Sequence, residues 1–194
     1  DLAAPSWYQA AIDVDPGTTL WADYPSVGFS AQWVVVQVNL FRTSDNGFAR
    51  SHIYVFNKAQ MYLGNLSAYV LLDLDGLTYG GTQVPAVTYD TGVDDVHLLQ
   101  RWNSTSGDLR LYRITGPVGV PTLVPIGFPS GDPWTDNPGD VDFAPQLQGP
   151  PGCVYCVPGP CPPRKVRTGD SRIQNIVRRD GKVWAAHTVV WSLT

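Results

Sequence analysis

An all-β chain of repeated antiparallel sheets, the arrangement of β-propeller blades, is what three features of this sequence predict. The first is a recurring phrase. Pro25-Ser-Val-Gly-Phe-Ser leads into Val34-Val-Val-Gln-Val-Asn-Leu and then Ile53-Tyr-Val-Phe. Pro85-Ala-Val-Thr-Tyr-Asp leads into Val96-His-Leu-Leu-Gln-Arg-Trp and Leu109-Arg-Leu-Tyr-Arg-Ile. Ser171-Arg-Ile-Gln-Asn-Ile-Val, with a turn at Asp180-Gly181 and then Val183-Trp-Ala-Ala-His-Thr-Val, is a looser third copy. One small sheet cannot bury both faces, so a repeated group of short strands packs against copies of itself. The second feature is the absence of glutamate and the presence of only three lysines, which removes residues that sustain exposed helices. The third is 19 glycines, 17 prolines and an 11% aromatic share, which suit short strands separated by turns.

The elements follow in order. Trp7 to Val14 reads as a strand closed by the turn Asp15-Pro-Gly-Thr, and residues 1–20 as the outer strand of another blade. The first blade spans about 21–80. Its strands are Ser26 to Ser30, Gln32 to Phe41, Ser51 to Phe56 and Tyr69 to Leu74, with turns at Ser44-Asp-Asn-Gly and Asp75-Gly76. The second spans about 84–127, with strands at Ala86 to Tyr89, Val96 to Trp102, Leu109 to Ile114 and Thr122 to Ile126. Residues 128–167 hold ten of the prolines and read as an insertion loop, because proline and glycine oppose ladder pairing. A third, incomplete blade occupies about 168–194. Closed propellers have at least four blades, so the expectation is a partial or open propeller, with missing blades or self-association. A β-sandwich, in which all strands alternate alike, is the competing architecture.

Charge and hydropathy bound the partners. A net charge of -4 gives no general cationic surface for a phosphate backbone, so nucleic acid is not expected. Arg164-Lys-Val-Arg167 is the one basic cluster and reads as a solvated turn. No apolar run approaches the roughly 20 residues of a membrane-spanning helix. Cys153, Cys156 and Cys161 fall in one Pro/Gly-rich stretch. A disulfide between Cys153 and Cys161 is the expected pairing, since the Pro-Gly-Pro between them folds back more easily than the short ring from Cys153 to Cys156. Free thiols, or a zinc site borrowing His52, His97 or His187, are the alternatives. A disulfide argues for a secreted or cell-surface location.

Several of these phrases resemble a family. Trp21-Ala-Asp-Tyr-Pro-Ser-Val-Gly-Phe-Ser, the segment ending Val38-Asn-Leu-Phe, Ile53-Tyr-Val-Phe-Asn-Lys-Ala and Gly169-Asp-Ser-Arg-Ile-Gln-Asn with Gly181-Lys-Val-Trp-Ala-Ala-His-Thr resemble stretches of secreted bacterial proteins with sialidase-like β-propeller repeats. The resemblance covers most of 7–125 and 168–190. It implies a propeller of a secreted bacterial protein. The Ser-x-Asp-x-Gly-x-Thr-Trp box of many sialidase blades is absent from the sequence.

Candidate site residues lie where innermost strands begin and end. Asp23, Asp90 and Asp170 flank the three copies of the first strand, and Arg172 and His187 belong to the third unit. Glycosidic cleavage needs two carboxyl groups, and without glutamate both must be aspartates, which makes Asp23 and Asp170 the catalytic candidates, with Arg172 and His187 beside them. Aspartate next to Pro or Gly also satisfies its own turn, and His187 reads equally as a hydrogen-bonded core residue. Asp90 and Trp21 are ligand-binding candidates. Asp132, Asp136, Asp140 and Asp142 could offer oxygens to calcium, although their spacing matches no calcium loop. The function expected is a non-catalytic binding or scaffold module whose ligand is a glycan or a protein. The alternative is a fragment of a sialidase-like glycoside hydrolase.

Overall fold

The computed structural model describes residues 7–134 and 171–188, and the backbone of 143–145 and 165–167. Its architecture is all-β and antiparallel. Strands β1 (Leu20–Phe29), β2 (Trp33–Arg42), β3 (Phe48–Asn57) and β4 (Tyr69–Asp75) form a four-stranded meander, and β5 (Val84–Pro85), β6 (Val96–Asn103), β7 (Asp108–Thr115) and β8 (Thr122–Gly127) form a second. The phrases at Ser26 to Phe41 and Ala86 to Trp102 therefore lie in separate sheets. Strands β11 (Ile173–Arg179) and β12 (Lys182–His187) make a hairpin closed by the turn at Asp180-Gly181. The interval expected to be loop contains one short antiparallel pair, β9 (Phe143–Pro145) with β10 (Lys165–Arg167).

Two single-turn helices interrupt the first unit. α1 (Lys58–Tyr62) starts where the Asn57 side chain accepts from the Gln60 N–H, and α2 (Gly76–Tyr79) where Asp75 accepts from the Leu77 and Thr78 N–H groups. Both are side-chain N-caps that satisfy otherwise orphaned donors. Asp75-Gly76, read from sequence as a plain turn, is thus the start of a helical turn. Pro125 sits on β8, the edge of its sheet, where its missing N–H interrupts no ladder.

The segment before β1 differs from expectation. Residues 7–13 carry no strand, and Trp7 is 82% exposed. Among the described residues no strand pairs with it. Ile12 and Val14 instead pack on Val38, Leu40, Tyr54 and Phe56. Asp15 fixes the turn that follows by accepting from the Gly17, Thr19 and Leu20 N–H groups and from the Thr19 hydroxyl. The apolar residues of the expected strand are thus used in packing Ile12 and Val14 against a sheet face, not in membership of a sheet.

Strand periodicity sets the packing. Along β2, Trp33 and Val35 face the second sheet, while Val34, Val36, Val38 and Leu40 face the N-terminal segment. Trp33 and Val35 join Ile53, Val55, Leu74, Val96, Leu98, Tyr112 and Ile114 in the core between the two meanders. The opposite side of the second meander packs Val84, Ala86 and Leu99 on Ile173 and Ile176 of the hairpin. Each fully buried large side chain here contributes about 1.5–3 kcal/mol.

The first strands of the three units touch. Phe29 and Val87 form a parallel bridge, as do Val87 and Val177. The hydrogen bonds run from Phe29 N to Ala86 O at 3.0 Å, Thr88 N to Phe29 O at 3.0 Å, Val87 N to Ile176 O at 3.1 Å and Arg178 N to Val87 O at 2.9 Å. This approach demands a glycine at position 28, because a Cβ there would lie 2.5 Å from Ala86 O and 2.6 Å from the Pro85 carbonyl. The three phrases thus share one place in their units and run in the same direction.

Candidate functional site

The end of the molecule where these inner strands begin carries a cleft of about 310 Å3. One wall is Phe41 and Phe48 from the facing ends of β2 and β3. The other is Trp102 at the end of β6 with Arg101 beside it, and Arg172 and Ile173 of the hairpin complete the lining. Its floor is Gly80-Gly81-Thr82, the link between the two meanders. The glycines make the opening. A Cβ on Gly81 would lie 3.1 Å from the Phe48 ring, and one on Gly80 3.2 Å from Trp102. Gly80 also has φ +66, a conformation that other residues adopt at a cost.

A buried amide network holds that floor. Asn39 Nδ2 donates to Thr82 Oγ1, and the Thr82 N–H donates to Asn39 Oδ1, both at 2.8 Å. Gln37 Nε2 donates to the same Asn39 oxygen at 2.9 Å. Gln100 Nε2 donates to the Tyr79 and Gly81 carbonyls at 2.7 and 2.8 Å, and Gln83 Nε2 to the Tyr79 and Gly80 carbonyls at 2.9 and 3.1 Å. Polar side chains at inward positions of β2 and β6, where an aliphatic residue would pack as well, are explained by the backbone of the link: Asn39 accepts the Thr82 N–H and Gln100 donates to the Tyr79 and Gly81 carbonyls, and buried backbone groups need partners.

Backbone strain collects at the same end. Thr82 has φ +62 and Tyr24, in the bulge of β1 between Asp23 and Ser26, has φ +54. Neither is a residue that favours the left-handed region, and such conformations persist where surrounding bonds over-determine them. The guanidinium of Arg172 lies 3.9 Å from the Tyr24 ring centre. Arg101 Nη1 donates to Ser171 Oγ at 2.9 Å, and His187 Nδ1 is 3.1 Å from Ser171 O.

Of the residues singled out in the sequence, Arg172 lines the cleft, and Trp21 stacks on the lining residue Phe41 with centroids 5.2 Å apart. His187 is half-buried, bonded to Ser171 and set edge-on to Trp134. Asp23 is exposed on β1 opposite Asn39 and does not line the cleft. Asp90 belongs to the other end of the inner strands, where it accepts from the Asp180 N–H at 2.9 Å and lies 4.0 Å from Arg178. The structure therefore separates Asp90 from Trp21, its fellow ligand candidate. Asp132 is exposed, and among the described residues no group of three His, Cys, Asp or Glu side chains could hold a metal ion. Asp136, Asp140, Asp142, Asp170, Cys153, Cys156 and Cys161 lie outside the described residues.

Burial shifts two other histidines toward the neutral form. His52 has its pKa pushed below the ordinary 6.5 by burial, against the pull of Asp73 at 3.4 Å. His97 is lowered by burial and by the charge of Arg178. Both lie away from the cleft.

Comparison with protein-family models, with curated proteins and with solved structures found no match. No helix among the described residues is long and apolar enough to cross a membrane.

Proposed function

We propose that this chain is a β-propeller segment of a secreted bacterial protein, working as a binding module that holds a glycan in the cleft above Gly80-Gly81. The two meanders and the hairpin are its blades, and Phe29, Val87 and Val177 line their common axis. Support for the blades comes from the parallel contacts between first strands together with face-to-face packing of successive sheets. A closed ring requires further blades, supplied by additional chain or by association.

The cleft is the observation that carries the binding reading. Aromatic walls, a floor opened by two glycines and hydrogen-bonding groups at the rim suit a ligand with flat apolar faces and many hydroxyls. No carboxylate among the described residues lines it.

Probing an array of oligosaccharides and proteins with the full chain and with its Trp102→Ala variant tests this. Retention by saccharides that the variant loses is the expected result. Retention by proteins alone rejects the glycan. Release of new reducing ends from a bound saccharide would move the assignment to the hydrolase alternative.

A further inference from the structure

The aromatic rings do not stop at the cleft. Trp21 stacks on Phe41 at 5.2 Å, and Phe41 meets Phe48 edge-on at 5.7 Å. Across the glycine floor stands Trp102, and the Arg110 guanidinium covers one of its faces at 3.0 Å from the ring centre. Arg110 in turn lies 5.8 Å from the Phe128 ring, just beyond β8. Rings from β1, β2 and β3 on one side thus continue through the cleft to β6 and past β8 on the other. Both ends of the line are open: Trp21 is 39% exposed and Phe128 65%, and Trp102 in the middle remains 40% exposed despite Arg110.

We infer that the cleft is the middle of an open-ended trough that takes an internal stretch of a linear polysaccharide and does not cap a chain end. The inference rests on the glycan reading above and adds the class of glycan. A site for a terminal sugar is closed on one side, so that the end group is surrounded; among the described residues this one is open at Trp21 and at Phe128. Large exposed rings in a line, with Arg110 bridging Trp102 and Phe128, form a surface of the kind that marks a binding site. The fitting polymer has sugars with equatorial substituents, whose two C–H faces are flat and apolar while their hydroxyls point sideways. Such faces lie on π-systems, and the edge hydroxyls meet the polar groups of the floor and the arginine-lined wall. Extended β-1,4-linked glucose chains are the simplest polymer of that shape.

Titration calorimetry of the full chain with β-1,4-linked glucose oligosaccharides of increasing length, two to six units, tests the trough. The dissociation constant is expected to fall about tenfold or more between the shortest and the longest, because added units reach rings outside the cleft. Trp21→Ala and Phe128→Ala should weaken the hexamer several-fold and leave the dimer unchanged. Phe128 is largely exposed, so this variant keeps its fold, which a thermal melt verifies, even where Trp102→Ala does not. Equal affinity for dimer and hexamer, or affinity that depends on a modified chain end, overturns the trough while leaving a glycan site in place. Failure of every saccharide, with binding of a proline-rich peptide in the same cleft, overturns the glycan reading as well.

Discussion

Asn39 and Thr82 hold each other by two hydrogen bonds, side chain to side chain and backbone to side chain, both 2.8 Å long, across the joint between the two meanders. The pair fixes a β-branched residue at φ +62, on the floor of the cleft. Strain at a ligand-lining position, kept in place by a buried amide, links the packing of the sheets to the shape of the site.

Asn39→Ala removes that restraint, leaves the Thr82 N–H without its buried acceptor and leaves Gln37 Nε2 only the longer contact to Ser51 Oγ at 3.5 Å. The expected loss of stability is about 2–3 kcal/mol, read as a lower midpoint in denaturant. Saccharide affinity falls with it at temperatures where the variant is still folded. A variant with unchanged midpoint and affinity would remove the network from the account.

Gly28→Ala tests the approach of the inner strands. The added Cβ meets backbone atoms of Pro85 and Ala86, which cannot rotate away as a side chain would. A destabilisation of about 1–3 kcal/mol is expected from overpacking. Gly119→Ala is the control: nothing lies within 4 Å of a Cβ there, and its effect should stay within about 0.5 kcal/mol.

Acid should weaken the fold in two steps. His52 and His97 have folded pKa values below the ordinary 6.5, so in the interval beneath that value the unfolded chain binds more protons. Their contribution is complete above 6.5 and is lost as the pH falls through the window below it. The carboxyls of Asp15, Asp45 and Asp75 are lowered chiefly by hydrogen bonds from Thr19, Arg42 and Thr78 respectively, so their share is lost only below 3.8. Melting temperatures should decline from pH 7.5 to 5.5, and His52→Gln with His97→Leu should flatten that slope. A flat profile in the parent chain would contradict it.

The hairpin face turned away from the second meander carries the cross-strand pair Val177 and Trp184, and Trp184 is 62% exposed. Exposed apolar faces and open strand edges favour association. Sedimentation should show concentration-dependent assembly that Trp184→Lys reduces. A monomer at high concentration would remove association as the route to a closed ring.

The strands were legible because most have one face or two against apolar neighbours: Val34 to Leu40, Val96 to Trp102 and Ile173 to Val177 announce themselves by alternation or by apolar runs. Trp7 to Val14 has apolar residues without strand pairing, since Ile12 and Val14 pack against a sheet face. Sequence also gave no sign that Asp75 caps a helix, because an Asp-Gly step suits a turn equally well. The site was less visible. A search for paired aspartates led to Asp23, which does not line the cleft, and to Asp170, which lies outside the described residues, while Phe41 and Trp102 read as ordinary strand residues and Phe48 fell between a turn and an expected strand. The nearest signal in the sequence is the Gly80-Gly81 pair, which Phe41, Phe48 and Trp102 flank only in space. Its meaning depends on sheet packing that no local pattern encodes.

The most direct test of the cleft is a nitrogen–proton correlation spectrum of the labelled chain titrated with a β-1,4-linked glucose hexamer. Shifts are expected of the Gly80, Gly81 and Thr82 amides and of the Trp102 indole, with Ala31, Tyr89 and Asp90 at the far end of the first strands unmoved. Shifts confined to that far end, or none at saturating saccharide, would contradict it.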